Sequence, residues 1–283
     1  MRQASFAGLR CLWAAVLFLL AWPTLTVAGQ HQVFEEPFEQ AAPDDRLAAP
    51  DGRTVPQRPR VAILIDDMGL GRHVCEELLE LPLQLSFSFF PHGPATMEQA
   101  EHAHRLGRDV LLHQPMQPGN PTVDPGPGAL LLGLDETEVD AIVRANLAAI
   151  PHVVGVNNHM GSRYTEDRPA MRSFLRLLRE QDLFFVDSFT SPRSIALEEA
   201  QALGLPTARR QIFLDNVLNP ERVCQQIRAL IYEAKVQGEA IGIGHPHEAT
   251  LIALRQCGEQ LQHEVELVGV RALVHRPPQT ADP

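Results

Sequence analysis

The chain has 283 residues, 45% of them hydrophobic and 21% charged, with a formal net charge of -11. That size and balance allow a sizeable core in one large domain or two modest ones. The acidic excess excludes nucleic acid and anionic membrane as partners reached by general electrostatic attraction, and no basic run offsets it.

In chain order, Arg2 and Arg10 precede an apolar run from Cys11 to Trp22, and Thr26-Val27-Ala28 supplies a small-x-small cleavage site. This predicts a secretory signal peptide over residues 1–28 and an exported, periplasmic chain that begins near Gly29. The apolar run is short for a membrane span of about 20 residues, so no stable span is expected after cleavage. Residues 29–59, rich in Pro, Asp, Glu and Ala, predict a solvated linker. A folded domain is expected over 60–277, with a short tail over 278–283. Cys11 leaves with the signal; Cys75, Cys224 and Cys257 remain, an odd number without C-x-x-C spacing, so no disulfide framework is expected.

From Arg60 onward, short apolar runs alternate with amphipathic stretches. The predicted strands are "VAILI", "LSFSFF", "DVLLH", "VVGVNN", "LFFVDS", "QIFLD", "AIGIGH" and "VRALV". Nearly all are apolar runs bounded by turn or polar residues, as strands buried on both faces are. Helices are predicted over Thr96–Gly107, Glu136–Ile150, Arg168–Gln181, Pro220–Gln237 and Glu248–His263. Repeated strand-helix alternation implies a parallel sheet. Seven or eight such units suit an irregular parallel (β/α) barrel better than an open doubly wound sheet, since no G-x-G-x-x-G fingerprint follows the first strand.

Polar residues collect where those strands end: Asp66 and Asp67 after the first, His113 on the third, Asn157, Asn158 and His159 on the fourth, Asp187 and Ser188 on the fifth, His245 and His247 after the seventh. In a barrel the C-terminal strand ends share one face, so these side chains are expected to converge. Carboxylate and imidazole donors in one mouth suit a divalent metal, zinc best, with positions open for water and substrate. Alternate strand residues face opposite ways, so both aspartates serve one site only if the chain bends after Ile65, which Gly69 and Gly71 permit. Arg163 could orient a substrate oxygen or pair with a carboxylate. No G-x-S-x-G, P-loop or H-E-x-x-H motif is present, which weakens serine hydrolase, nucleotide and zincin readings.

The stretches "ILIDDMGLG", "LLHQPMQP", "GVNNHMGSRYTED", "FFVDSFTSPRS" and "IGIGHPH", collinear from about Arg60 to Val274, resemble the divergent polysaccharide deacetylase family. That resemblance implies an irregular α/β barrel with a metal at its mouth and removal of N-acetyl groups from chitin-like or peptidoglycan sugars. It implies Asp66 as general base, His245 as general acid, and Asp67, His113 and His159 as metal ligands. Asn158, Arg163, Asp187, Ser188 and His247 become substrate-side candidates, with Asp187 available to orient His245. "HQPMQ" places Gln117 where an H-x-x-x-H run would have its second histidine, so His159 from the next strand takes that place. Two other functions remain open on the residues: a non-catalytic barrel that binds cell-wall glycan or a cell-wall enzyme, and metal-dependent hydrolysis of another bond such as a phosphoester.

Overall fold

The apolar runs do form parallel strands. The computed structural model describes residues 58–276; the predicted signal peptide, most of the linker and the tail lie outside the described residues. The strands are β1 (Arg60–Met68), β2 (Ser86–Phe89), β3 (Val110–Met116), β4 (Val153–Met160), β5 (Phe184–Asp187), β6 (Thr207–Arg209), β7 (Ile212–Phe213), β8 (Glu239–Gly244) and β9 (Glu266–Leu267). Seven helices lie between them: α1 (His73–Leu79), α2 (Thr96–Arg105), α3 (Glu136–Ala148), α4 (Arg168–Glu180), α5 (Ala196–Ala202), α6 (Pro220–Gln237) and α7 (Glu248–Glu264). The sheet runs β6-β5-β4-β3-β2-β1-β8-β7, with β9 added beside β1, and every ladder is parallel.

The sheet is a curled, incomplete barrel. At its seam one continuous segment changes partners: Thr207–Arg209 pairs with β5, and Ile212–Phe213 pairs with β8. The Arg210 N–H still reaches Asp187 O at 3.0 Å, and the next N–H, of Gln211, reaches Ile241 O at 2.9 Å. "QIFLD" thus supplies two strand residues, and β6 just before it is an additional strand.

Alternation along the strands produces two cores. Val61, Ile63, Ile65, Phe87, Phe89, Leu112 and Phe185 pack outward with the helices. Ala62, Leu64, Leu111, Phe184, Val186, Ile241 and Ile243 pack inward, together with Val270 and Leu273. The predicted strand "VRALV" is therefore corrected. Val270–Leu273 is a 3-10 turn that puts two apolar residues three apart on one side, and these enter the inner core. Beneath the sheet plane, Gly155 admits the Phe184 ring, which a Cβ there would meet at 2.2 Å.

The expectation of no disulfide is also corrected. Cys224 on α6 and Cys257 on α7 are bonded, with Cα atoms 6.0 Å apart. The two helices are neighbours in space, so no short sequence spacing announces the pair. Closing a loop of that length contributes about 3–4 kcal/mol on chain-entropy grounds. Cys75 is free and buried.

Candidate metal centre and acid-base site

Inward-facing positions continue past the apolar core to the barrel mouth. After Ala62 and Leu64 comes Asp66, after Leu111 comes His113, after Phe184 and Val186 comes Ser188, and after Ile241 and Ile243 comes His245. On β4 one extra residue against β3, between Val153 and Gly155, resets the alternation so that Asn157 and His159 turn inward. Asp67 should face out by this rule. It is brought into the site by a positive φ of 55° and by the register irregularity between Ile65 and Met68. The bend expected after Ile65 thus falls on Asp67 itself, a strained conformation for a non-glycine residue and one that functional sites often hold.

Three donor atoms meet there. Asp67 Oδ1 lies 3.2 Å from His113 Nε2 and 3.3 Å from His159 Nδ1, and those nitrogens are 3.2 Å apart. All three side chains are buried. Asp67 Oδ1 has no hydrogen-bond partner among the described residues. Three electron-rich atoms this close repel unless a proton or cation lies among them. Tetrahedral zinc with ligand bonds of about 2.0–2.1 Å separates its ligand atoms by about 3.3–3.4 Å, so the triangle fits that ion. Phe90 covers the pair of imidazoles edge-on, 5.3 Å from the His113 ring and 4.7 Å from that of His159. Gln117 is no ligand: its Oε1 accepts from the Leu132 N–H at 2.7 Å and ties down the loop after β3.

Asp66 sits behind this triangle, fully buried. Burial pushes its carboxyl up to about 7, against the opposing pull of His113 and His245. Asp67 goes the other way: burial would raise it, but His159 and His113 hold it well below the usual carboxylate range. Burial disfavours a charge on His113, yet Asp66 and Asp67 outweigh it and raise that imidazole. Asn157 is the hub. Its Nδ2 donates to both Asp66 oxygens at 2.9 Å and to Ser188 Oγ at 3.0 Å. Its Oδ1 faces His113 Nδ1 at 3.0 Å and accepts from Ser88 Oγ.

A second carboxylate-imidazole pair follows β8, the strand paired with β1, and its neighbour β7. His245 Nδ1 is 2.9 Å from Asp215 Oδ1, while Asp215 Oδ2 accepts from the His245 N–H at 2.6 Å and from Thr250 Oγ1 at 2.7 Å. Burial alone would raise the Asp215 carboxyl, but His245 and these donors hold it below its ordinary range. Asp215, His245 and His247 are close enough to be considered as a metal group. However, hydrogen donors already meet both Asp215 oxygens, so this cluster is suited to holding a proton. Burial lowers the pKa of His247, which lies 5.9 Å from the His245 ring at the N-terminus of α7.

The remaining substrate-side candidates separate by strand face. Asp187 has the outward parity of Phe185, so it cannot orient His245; that place belongs to Asp215, which the sequence reading passed over. Asp187 instead accepts from the Phe189 N–H, Ser194 Oγ and Arg209 Nε, and burial raises its carboxyl despite Arg209. Asn158, also outward, donates to Met160 O and accepts from the Ser188 N–H. Asn158, Asp187 and Ser188 are fully buried, and each hydrogen-bonds within the protein. Arg163 stays exposed and comes no nearer than 4.0 Å to Glu166.

A sequence model described as divergent polysaccharide deacetylase matches residues 63–274. The uncharacterized protein YibQ of Escherichia coli K12 is 33% identical over 221 residues, covering 77% of this chain and 68% of that one. The crystal structure of an uncharacterized protein from Agrobacterium tumefaciens superposes with a TM-score of 0.74 at 26% identity, covering 79% of this chain and 92% of the other. A mutant of a CE4 family pseudoenzyme from Bacillus anthracis, with restored enzymatic activity, shares the fold at a TM-score of 0.52 and 14% identity, over 77% of this chain and 68% of that chain.

Proposed function

Because this chain belongs to the divergent polysaccharide deacetylase family, we propose that it is a zinc-dependent amidohydrolase that removes N-acetyl groups from amino-sugar glycans, peptidoglycan fragments included. The observation that carries this reading is the buried triangle of Asp67 Oδ1, His113 Nε2 and His159 Nδ1 beside a carboxylate raised to about 7. Those three atoms would hold the metal, which supplies Lewis acidity toward the acetyl carbonyl and the attacking water. Asp66 takes the proton of that water, its burial making it a usable base near neutral pH. His245, doubly protonated with its Nδ1–H held by the Asp215 carboxylate, delivers the Nε2 proton to the leaving sugar amine and is left neutral. Arg163 and His247 remain as the side chains at the rim for substrate oxygens. Export to the periplasm goes with this function: the Cys224–Cys257 bond suits an oxidising compartment. No helix among the described residues is long and apolar enough to cross a membrane.

The test is acetate release from N-acetylated glucosamine oligomers and peptidoglycan fragments by zinc-reconstituted protein, with zinc measured per chain. Stoichiometric zinc and acetate release support the reading. Zinc with phosphoester hydrolysis and no acetate would move the reaction to another bond. A chain that takes up no zinc but binds glycan would be a recognition barrel.

A further inference from the structure

The side chain of Asn157 is fully buried at the centre of the mouth and belongs to neither the metal triangle nor the acid pair. Its orientation is set by its neighbours. Reversing the amide would turn Oδ1 toward the two oxygens of Asp66, so Nδ2 must face that carboxylate and Oδ1 must face Ser88 and His113. The Oδ1 atom can only accept, so the neutral His113 ring carries its hydrogen on Nδ1 and its lone pair on Nε2, the nitrogen that faces Asp67 and His159. The same amide therefore grips the carboxylate with one end and chooses the ligating nitrogen with the other.

We infer that Asn157 is a positioning residue that selects the Nδ1–H tautomer of His113 for metal binding and locks Asp66 in place through the same side chain. The inference rests on the metal reading above for its consequence, but the tautomer itself belongs to the metal-free protein. Metal-bound histidines are commonly held at their other nitrogen by a carboxylate, carbonyl or water. A neutral amide does this without adding a third negative charge beside Asp66 and Asp67. Ser88 on β2 and Ser188, the residue just past β5, complete its hydrogen bonds and keep it from rotating.

Two near-isosteric variants separate the two ends. Asn157→Leu removes both; Asn157→Asp keeps an acceptor for His113 but sets a carboxylate against Asp66. The histidine tautomers of zinc-free protein are read by 15N NMR to the alkaline end of the titration, zinc affinity by competition with a chromophoric chelator, and turnover by acetate release. Wild type should show His113 protonated at Nδ1. Asn157→Leu should lose that preference and bind zinc about 10–100-fold more weakly. Asn157→Asp should keep zinc yet lose turnover. A wild-type His113 protonated at Nε2, or unchanged zinc affinity in folded Asn157→Leu, would overturn the inference. Should Asn157→Leu fail to fold, the wild-type tautomer and the split between zinc and turnover in Asn157→Asp decide it. If wild type shows the Nδ1–H form but no zinc uptake, the metal reading fails and the tautomer assignment stands.

Discussion

Two aspartate-histidine clusters share the barrel mouth, and they are built differently. Around Asp67 the neighbours are ring nitrogens at 3.2 and 3.3 Å, and the buried oxygen accepts no hydrogen bond among the described residues. Around Asp215 both oxygens accept, from a ring nitrogen, a backbone N–H and a hydroxyl. Equal residue types thus serve different ends: the first cluster converges three donor atoms on one point, and the second already holds its proton. Distance alone groups both as possible metal sites; the hydrogen bonds tell them apart.

The comparison is broken most directly at Asp67. Asp67→Asn should abolish stoichiometric zinc uptake and bring acetate release to background, whereas Asp215→Asn should leave zinc content, measured by atomic spectroscopy, unchanged. Zinc loss in the Asp215 variant instead would make the second cluster the metal site. Next in size, Asp66→Ala at saturating zinc should lose turnover by roughly 10²–10⁴-fold while keeping the metal, and His245→Ala likewise. Asp215→Asn should lower turnover on the order of 10²-fold by removing the carboxylate that stabilises the doubly protonated His245 ring, an effect visible in the basic limb of the pH-rate profile.

Protons sharpen the same contrast through stability. The folded state holds the Asp66 proton up to about 7 rather than 3.8, so folding becomes less favourable as pH rises through that window. His113, raised above 6.5, adds stability that is complete below that value and lost above it. Asp67 and Asp215, both lowered, add stability above 3.8 that disappears in acid. The urea midpoint of zinc-free protein should therefore fall between pH 5 and pH 8, and zinc should remove the fall. A flat profile would mean that the metal cluster is not buried as described. The smallest effect is expected from Thr250→Val, which removes one donor to Asp215 and should cost about 1 kcal/mol in thermal or urea unfolding without changing zinc content.

Much of this was legible from alternating strand residues. The apolar runs announced the parallel barrel, and the residues at their ends announced the mouth. Parity could have gone further. Counting by twos from Val186 points to Ser188 and away from Asp187, and counting from Phe213 points to Asp215, which stands in plain view at the end of "QIFLD". Two features gave no such signal. The extra residue in β4 that turns Asn157 and His159 inward depends on pairing with β3, and the left-handed turn at Asp67 puts an outward position into the site. The Cys224–Cys257 bond was hidden for a related reason: helix adjacency is a property of the closed barrel, whereas spacing is a property of the chain.

The sheet order also sets a sequence of assembly. β1, β2, β3 and β4 are neighbours in both chain and sheet, so Asp67, His113 and His159 can be gathered by short-range pairings within the first half of the domain. The other side of β1 waits for β8, across a separation such as the 179 residues between Arg60 and Glu239. Contacts that distant form late because their loop closure is entropically expensive. A partly folded chain would thus own a nest for a cation before it owned a proton donor, and capture of the ion could precede the last pairing and act as a template for it.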